Sequence, residues 1–428
     1  MNTFVCKLYD SDTFYKEGAD VVNINNNQQY NYTLWKKSQR LYRIPKEFTR
    51  EALDLFYLSL MVFYADRIVL RSEQPDGWTR HITIYMPVWN ESKWNECSSI
   101  VKRMLDFLTG DDWTLFFRQR TCVTDDEAKY KKGKFRLRHT TKHIDVDTFC
   151  MLSGGLDSFI GAIDILSKKE KTIFVGNYNG GKGVSVYQNK VIDSLSNHFK
   201  VPRNNFYQFY AAPKRGRENT TRSRSLLFFS HAILLASGMN KPIKLCIPEN
   251  GVISLNIPLT EHRLGSLSTR TTHPYFIGLL QELLKSMNIQ ISLYNPYQFS
   301  TKGEMMANCM DFNCLKMSYQ DTMSCSHPDL GRWRKESSSS HCGVCLPCTI
   351  RRAAIMKAGL NDSSIYRDKD YMKGEAIVNL KSYKLGLKRN KEPLLAIQES
   401  GPITFRKQDF ADLYSRGLQE LKDFVDSL

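Results

Sequence analysis

The sequence lacks the features that would take the chain into a membrane or an export route. No apolar run reaches the roughly 20 residues that a transmembrane helix needs. The first five residues, Met-Asn-Thr-Phe-Val, carry neither the basic nor the apolar region of a secretory signal peptide. We therefore expect a cytoplasmic protein with no membrane partner. In that reducing compartment, the 11 cysteines favour a metal site over disulfides.

Acidic residues are scarce relative to basic ones. The 428-residue chain has 44 Asp and Glu against 60 Lys and Arg, which gives a net charge of +16 at pH 7. This charge favours anionic partners, and ATP, an acidic protein or RNA would each satisfy it. A solvated basic surface without a partner is the alternative. The basic segment 129–142 fits either a solvated connection or the recruitment of a partner.

A glycine-containing hexapeptide is the main candidate for a phosphate site. It reads Ser153-Gly154-Gly155-Leu156-Asp157-Ser158. The apolar stretch 148–152 precedes it and apolar residues at helical spacing follow it, which predicts a strand-to-helix turn. Freed backbone amides, the serine hydroxyls and the helix amino end would together hold an anion. A tight turn that caps a helix is the alternative. No Gly-Lys-Ser or Gly-Lys-Thr follows, so transfer of a γ-phosphoryl group is disfavoured.

Alternating strand and helix patterns predict a parallel sheet in the middle of the chain. The candidate strands are residues 147–152, 172–175, 206–210, 243–247 and 289–294. Ligands of such sheets bind at the carboxyl ends of the strands. Several polar residues follow the predicted strands and are expected to converge on one crevice: Ser153, Asn177, Glu249, Asn250 and Asn295. We predict an α/β domain over residues 148–366, an α+β domain over residues 1–147 and a helical extension over residues 367–428. Neither flanking region shows a catalytic constellation.

Three basic residues are candidates for contacts with a ligand. Arg222 and Arg224 enter a nearly all-apolar predicted helix, where guanidinium groups would bind an ATP phosphate or a substrate carboxylate. A solvated basic loop is the alternative. Lys302 lies between Thr301 and Glu304, whose spacing is that of a helix capping box. We expect Lys302 to point into the crevice.

Four cysteines have the spacing of a metal site. Cys325 is followed after 16 residues by Cys342, Cys345 and Cys348. Four thiolates in this arrangement suit a tetrahedral Zn²⁺, and because the protein fills all four positions the zinc would be structural. An iron–sulfur cluster uses the same ligands and stays an alternative. Folding of this region is expected to depend on the metal.

Together, the two motifs resemble those of a known enzyme family. The hexapeptide is similar to the signature of the PP-loop ATP pyrophosphatases, which share the adenine nucleotide alpha hydrolase fold and cleave ATP to AMP and pyrophosphate. Over residues 147–366 the chain resembles the QueC family of 7-cyano-7-deazaguanine synthases. The segment Thr301-Lys302-Gly303-Glu304 stands in place of the family's Thr-Lys-Ala-Glu, and the four cysteines stand in place of its zinc ligands. The long amino-terminal addition resembles the QueC-like QatC proteins of bacterial anti-phage operons.

The resemblance implies an ATP-dependent ligase that adenylates the carboxylate of a deazaguanine, after which an amine displaces AMP. Its implied ATP-binding residues are Ser153, Gly154, Gly155, Leu156, Asp157 and Ser158, and Arg222 and Arg224 are added to them as candidates from their charge and position in the sequence. Asp157 and Lys302 are the implied catalytic residues, with Asp157 a ligand of Mg²⁺ directly or through water. Proteins of the same defence operon are the implied partners, and nucleic acid is not favoured.

The chain departs from the family at two substrate motifs. The run Tyr178-Asn179-Gly180-Gly181-Lys182 replaces tyrosine-glycine-glutamine-arginine-histidine, and His273-Pro274-Tyr275-Phe276 replaces proline-aspartate-cysteine-arginine. Our hypothesis is an enzyme that keeps adenylation and delivers the acyl group to an amine of a partner protein. Two other interpretations stay open. One is a tRNA-modifying PP-loop enzyme; against it, the sequence shows no obvious sulfur-carrying cysteine outside the zinc set, and Cys246, Cys309 and Cys314 are the remaining candidates. The other is a non-catalytic subunit of a defence complex.

Overall fold

A four-stranded sheet organises the first part of the chain. A computed structural model describes residues 2–35, 45, 47–131, 145–178, 182–219, 222–257, 270–330, 339–389 and 391–428. The first elements are β1 (Asn2–Lys7), β2 (Asp20–Asn23), β3 (Tyr30–Tyr32), α1 (Arg50–Ile68), β4 (His81–Val88), α2 (Glu91–Glu96), α3 (Ser98–Thr109), β5 (Asp112–Gln119) and α4 (Asp125–Lys131). The strand order is β2-β1-β4-β5, with every pair parallel. The region is therefore α/β rather than the expected α+β, because α1 and α3 carry the chain back between successive parallel strands.

A five-stranded parallel sheet follows. Its part of the chain contains β6 (Thr148–Met151), α5 (Leu156–Ser167), β7 (Thr172–Asn177), α6 (Lys182–Phe199), β8 (Phe206–Phe209), β9 (Ala211–Pro213), α7 (Arg224–Ser237), β10 (Ile243–Cys246), α8 (Gly251–Leu255), α9 (Pro274–Ser286) and β11 (Ile291–Tyr294). The strand order is β11-β10-β6-β7-β8. These are the five predicted strands, and the prediction of a parallel sheet is confirmed. Residues 179–181, part of the departure from the family pattern after β7, lie outside the described residues.

One apolar core runs through both sheets. Helix α7 packs between α1 and the second sheet, and the buried cluster extends from Phe4 on β1 to Ile291 on β11. The ring of His231 on α7 lies 4.9 Å from that of Phe56 on α1 and 4.8 Å from that of Phe209 on β8. Burial lowers the pKa of His231 to about 4, so this imidazole is a neutral packing group. An antiparallel ribbon of β3 and β9 adds backbone hydrogen bonds between the two regions.

The last third of the chain is helical, and its helices pack against one another and against α8. They are α10 (Lys302–Ala307), α11 (Phe312–Ser318), α12 (Leu346–Lys357), α13 (Glu375–Lys388), α14 (Pro393–Ala396) and α15 (Lys407–Asp426). Helix α15 lies in the region predicted as a helical extension, and it contacts α8, α12, α13 and α14. Among the described helices, none has both the length and the apolar character needed to cross a bilayer.

Candidate active site and metal centre

A crevice opens where the strand order of the second sheet reverses. The chain runs from β6 to β7 and β8 on one side and then returns to place β10 on the other side of β6. The loops after β6 and β10 diverge at such a point, which is where ligands of open parallel sheets bind. The cavity there measures about 210 Å³ and is lined by the 153–158 loop and by Pro248 and Glu249. Asn295 after β11 joins them, because its Nδ2 donates to the carbonyl of Glu249 at 2.7 Å. The predicted convergence of strand ends is therefore present for these residues.

The 153–158 loop is a tight turn that begins α5. Gly154 has φ +85°, a left-handed conformation that favours glycine, and Gly155 is the residue that precedes the helix. The hydroxyl of Ser158 accepts from the amide of Ser153 at 3.2 Å, and the Ser153 hydroxyl accepts from the amide of Gly155 at 3.2 Å. Ser153 is exposed to the crevice. The loop thus presents a hydroxyl and a helix amino end to an anion.

Gln188 on α6 fixes this loop from behind. Its side-chain amide donates to the carbonyl of Ser153 at 3.1 Å and to that of Asn177 at 2.9 Å, so it links the ends of β6 and β7. A Cβ on Gly154 would lie only 2.8 Å from the Cγ of Gln188 and 3.1 Å from its Cα. Glycine is therefore required at 154 for steric as well as conformational reasons. Sequence analysis missed Gln188, since a glutamine within a helix carries no local signal of this role.

Asp157 and Lys302 form a buried ion pair in the crevice. Lys302 Nζ lies 2.7 Å from Asp157 Oδ1, and the two side chains are 8% and 6% exposed. Asn250 donates to Asp157 Oδ2 from its side chain at 2.7 Å and from its backbone at 3.3 Å. Burial acts to raise the pKa of Asp157, but the Lys302 charge and these donors outweigh it and lower that pKa. Asp157 is thus ionised and fixed in position.

Glu249 lies beside this pair and completes a group of two carboxyls and one ammonium. Burial and the neighbouring Asp157 charge raise the pKa of Glu249 well above its ordinary value, while Lys302 opposes them. Two neighbouring carboxyl groups repel each other when both are ionised, and a single ammonium compensates only one of the two negative charges. The surroundings therefore favour the ionised form at Asp157 and the protonated form at Glu249.

Two carboxyl groups fix the helix that carries Lys302. Thr301 and Glu304 form the capping box predicted from their spacing. In addition, Glu420 on α15 accepts from the Thr301 hydroxyl at 2.6 Å and from the Gly303 amide at 3.0 Å. Glu420 is 7% exposed, so this contact between α15 and α10 is buried. Glu420 therefore gives the carboxyl-terminal extension a structural role at the start of α10.

Arg222 and Arg224 do not lie in the described lining of this crevice. The backbone amide of Arg222 donates to Asp66 on α1 at 3.0 Å, and its guanidinium lies 5.0 Å from the ring centroid of Trp78. Arg224 is exposed, with its guanidinium 5.3 Å from the ring of Phe228. Asp66 draws the start of α7 toward the first sheet, so the expected contact of these arginines with ATP has no counterpart in the crevice.

Four cysteine sulfurs form the candidate metal centre. The Sγ atoms of Cys325, Cys342, Cys345 and Cys348 all lie within 4.8 Å of one another. Cys342 and Cys348 are 3.9 Å apart, and Cys325 and Cys345 are 4.0 Å apart. A tetrahedral zinc with Zn–S bonds of about 2.3 Å requires sulfurs about 3.8 Å apart. The donor set therefore fits Zn²⁺, and the predicted cysteine cluster is confirmed.

Backbone amides favour the thiolate form of these cysteines. The amides of His327 and Cys342 each donate to Cys325 Sγ at 3.3 Å, and the amide of Cys345 donates to Cys342 Sγ at 3.3 Å. Such bonds stabilise charge on sulfur, which a metal ion requires of its thiol ligands.

The cysteine cluster is connected to the 153–158 loop through one short segment. His341 Nε2 lies 3.0 Å from the carbonyl of Thr322, and its Nδ1 lies 3.8 Å from Cys348 Sγ. Arg351 on α12 donates to the Thr322 hydroxyl at 2.6 Å. The amide of the next residue, Met323, donates to the carbonyl of Gly154 at 2.9 Å. A structural metal would thus support the segment against which the loop is held.

Fold and site define a class of protein. A parallel α/β sheet with a glycine–serine loop at its switch point, next to a four-cysteine knuckle, is consistent with a PP-loop domain. Residues 272–359 match the family model described as queuosine biosynthesis protein QueC. The matched residues include the 301–304 segment and all four cysteines, and they begin after the 153–158 loop. The match supports a QueC-like family for this chain and an ATP-using PP-loop enzyme. A comparison with curated proteins found no match.

Proposed function

We propose that this protein is an adenylating enzyme that cleaves ATP to AMP and pyrophosphate and activates a carboxylate for attack by an amine. The observation that carries the proposal is that Lys302 lies beside the 153–158 loop, paired with Asp157 of that loop, at the switch point of the sheet. The QueC match on the carboxyl-terminal side of the crevice supports it. Following the sequence resemblance, we propose a deazaguanine carboxylate as substrate and bacterial anti-phage defence as context.

The chain's own groups suit the departure of pyrophosphate. The Ser153 hydroxyl and the amino end of α5 would bind the β- and γ-phosphates, where negative charge develops as the bond breaks. Lys302 would add a fixed positive charge to the same region. Asp157 offers the hard oxygen ligand that Mg²⁺ prefers, either directly or through water. No phosphate-contacting arginine is needed in this arrangement.

The proposed reaction has two steps, adenylation of the carboxylate and attack by the amine. A carboxylate oxygen attacks the α-phosphorus of ATP, the bond to the bridging oxygen breaks, and pyrophosphate leaves with the electron pair. This converts a poor leaving group on the carbonyl carbon into AMP. An amine then attacks the carbonyl carbon, AMP leaves, and the amine loses a proton to give an amide. The amine is ammonia or an amino group of a partner protein, and if the amide is activated again by ATP it is dehydrated to a nitrile.

The decisive experiment follows products from both substrates. The full chain with zinc is incubated with ATP, Mg²⁺, 7-carboxy-7-deazaguanine and either ammonium or candidate partner proteins. Chromatography reports AMP and pyrophosphate, and mass spectrometry reports the small molecule and the mass of each protein. We expect AMP and pyrophosphate in equal amounts and an amide or nitrile, or a protein of increased mass. Absence of AMP with every acceptor would contradict an enzymatic function.

The net charge of +16 favours one competing function, a PP-loop enzyme acting on tRNA. Such an enzyme with a cysteine sulfur carrier needs a reactive thiol near the crevice. Cys246, Cys309 and Cys314 are all buried, and burial raises the pKa of Cys314 to about 11 and that of Cys309 further. The described structure therefore does not favour this chemistry. Salt-sensitive binding of tRNA would be the result that restores it.

A further inference from the structure

A second cavity lies directly beyond Lys302. It measures about 180 Å³ and is enclosed by α8, the start of α10, α12 and the carboxyl-terminal helix α15. We call it the side cavity. It shares Ile253, Lys302, Pro347 and Ile350 with the crevice over the 153–158 loop. The two spaces are therefore neighbours that meet at Lys302.

Part of the lining of the side cavity is apolar, and polar residues such as Asn256, Ser326 and Tyr414 complete it. Val252 on α8, Ile350 on α12, and Leu418 and Leu421 on α15 contribute hydrophobic wall. Sites with apolar walls and a few placed polar groups bind small organic molecules and fix their orientation. The apolar wall would receive the body of such a molecule, and the end at Lys302 would receive its charged group.

Among the described lining residues, the group that an anion would contact is Lys302. Its side chain lines both spaces, and its Nζ is held 2.7 Å from Asp157 Oδ1 on the crevice side. The acidic residue of the lining, Glu420, already accepts from Thr301 and from Gly303 with its two oxygens. Burial raises the pKa of Glu420, which further reduces its repulsion of an anion.

The volume of the side cavity limits the size of its ligand. A cavity needs a volume of about 10–15 Å³ to hold one water molecule, so a cavity of about 180 Å³ has room for on the order of a dozen water molecules. A molecule of one or two fused rings with a carboxylate is of this size. A macromolecular segment is too large for it.

From this geometry we infer that the side cavity binds the carboxylic acid that the enzyme activates. Its ring system lies against α15 and its carboxylate points at Lys302, toward the phosphates over the 153–158 loop. This inference rests on the proposed function and adds to it the location of the acid. It also gives the carboxyl-terminal extension a role in substrate recognition, because Leu418 and Leu421 belong to α15.

Filling the cavity provides the test. Leu418→Trp would place a large ring in the side cavity, whereas Lys422→Trp one turn later changes an exposed residue of the same helix and serves as control. Isothermal titration measures binding of 7-carboxy-7-deazaguanine to the full chain, and a separate titration measures ATP. We expect at least a tenfold loss of affinity for the acid in Leu418→Trp, none in Lys422→Trp, and unchanged ATP affinity in both.

The remaining outcomes each decide the matter. Equal binding of the acid by Leu418→Trp and the unchanged chain would overturn the inference, as would no binding of the acid by the unchanged chain. Failure of the proposed function is distinguishable, since the acid would then bind without AMP release. Zinc content and circular dichroism check folding, and if Leu418→Trp does not fold, Leu418→Ala is used instead. Removal of that contact should weaken binding of the acid severalfold, and no change would overturn the inference.

Discussion

The buried pair of Lys302 and Asp157 allows a double-mutant cycle whose outcome the geometry specifies. Their charged atoms are 2.7 Å apart and both side chains are less than 10% exposed. Removing one partner of a buried ion pair costs about 3–5 kcal/mol, because the other charge is left without a counter-ion away from water. Removing both partners together is often close to neutral. The pair should therefore show strong coupling in the free energy of unfolding.

The two single substitutions should differ in size. Lys302→Met leaves the Asp157 carboxylate buried, and we expect a loss of about 3–5 kcal/mol. Asp157→Asn leaves the Lys302 ammonium, but Glu249 lies beside it and loses the Asp157 charge that, after burial, is the second cause of its raised pKa. Glu249 can then ionise and replace Asp157 as the counter-ion. We therefore expect a smaller loss, about 1–3 kcal/mol, for Asp157→Asn.

Urea denaturation at pH 7 measures the cycle, with an unchanged m-value as the condition for comparing midpoints. The surface pair of Lys391 and Glu399 is a matched control, since its atoms are 2.6 Å apart but its side chains are 38% and 31% exposed. We expect Lys391→Met to cost less than about 1 kcal/mol despite the similar distance. Single effects of Lys302→Met and Asp157→Asn that add within about 0.5 kcal/mol would refute the reasoning.

Three further predictions concern the surroundings of the pair. Gly303→Ala should lower the melting temperature, since its Cβ would lie 2.5 Å from Glu420 Oε2, and the added change Glu420→Ala should relieve part of that contact; a melting temperature raised by Gly303→Ala alone would contradict this. A chelator should release one zinc per chain, measured with a colorimetric indicator, and should lower the melting temperature. Cys348→Ser should have a lowered melting temperature without any chelator. An unchanged melting temperature would exclude a structural metal. Because the pKa of Glu249 is raised in the folded chain, its contribution to stability is present below its pKa in the unfolded chain and is lost as the pH rises. The melting temperature of Glu249→Gln should therefore rise relative to that of the unchanged chain between about pH 5 and pH 9. A difference that stays constant with pH would contradict the pKa shift.

Local patterns were sufficient to predict most of the second sheet and part of the site. The strands were found because buried parallel strands are continuous apolar runs, and Thr301 and Glu304 because a capping box is a three-residue spacing. The four cysteines were found for the same reason, since three of them lie within seven residues. Each of these features depends on neighbours in the sequence, which a single chain displays directly.

The remaining features depend on contacts between distant residues. The parallel first sheet was not predicted, because the sequence patterns of strands and helices are the same in α/β and α+β domains until the pairing of the strands is known. Arg222 was a candidate for contact with an ATP phosphate or a substrate carboxylate, with a solvated loop as the alternative, whereas its backbone amide is held by Asp66, 156 residues away. Gln188 and Glu420 act on loops 35 and 117 residues away, measured to Ser153 and Gly303. No spacing rule reports such partners.

The two flanking regions stabilise the central domain by the same physical device. Asp66 of α1 accepts from the amides of Arg222 and Ser223 at the start of α7, and Glu420 of α15 accepts from the Gly303 amide at the start of α10. In each case a distant carboxylate satisfies amides that a helix cannot satisfy itself and lies at the positive end of the helix dipole. The second case leaves no room for a side chain at residue 303. A Cβ at Gly303 would lie 2.5 Å from Glu420 Oε2 and 2.7 Å from the side chain of Lys357. Glycine at 303 and glutamate at 420 therefore belong together, so the carboxyl-terminal helix is part of the structure that holds Lys302 in the crevice.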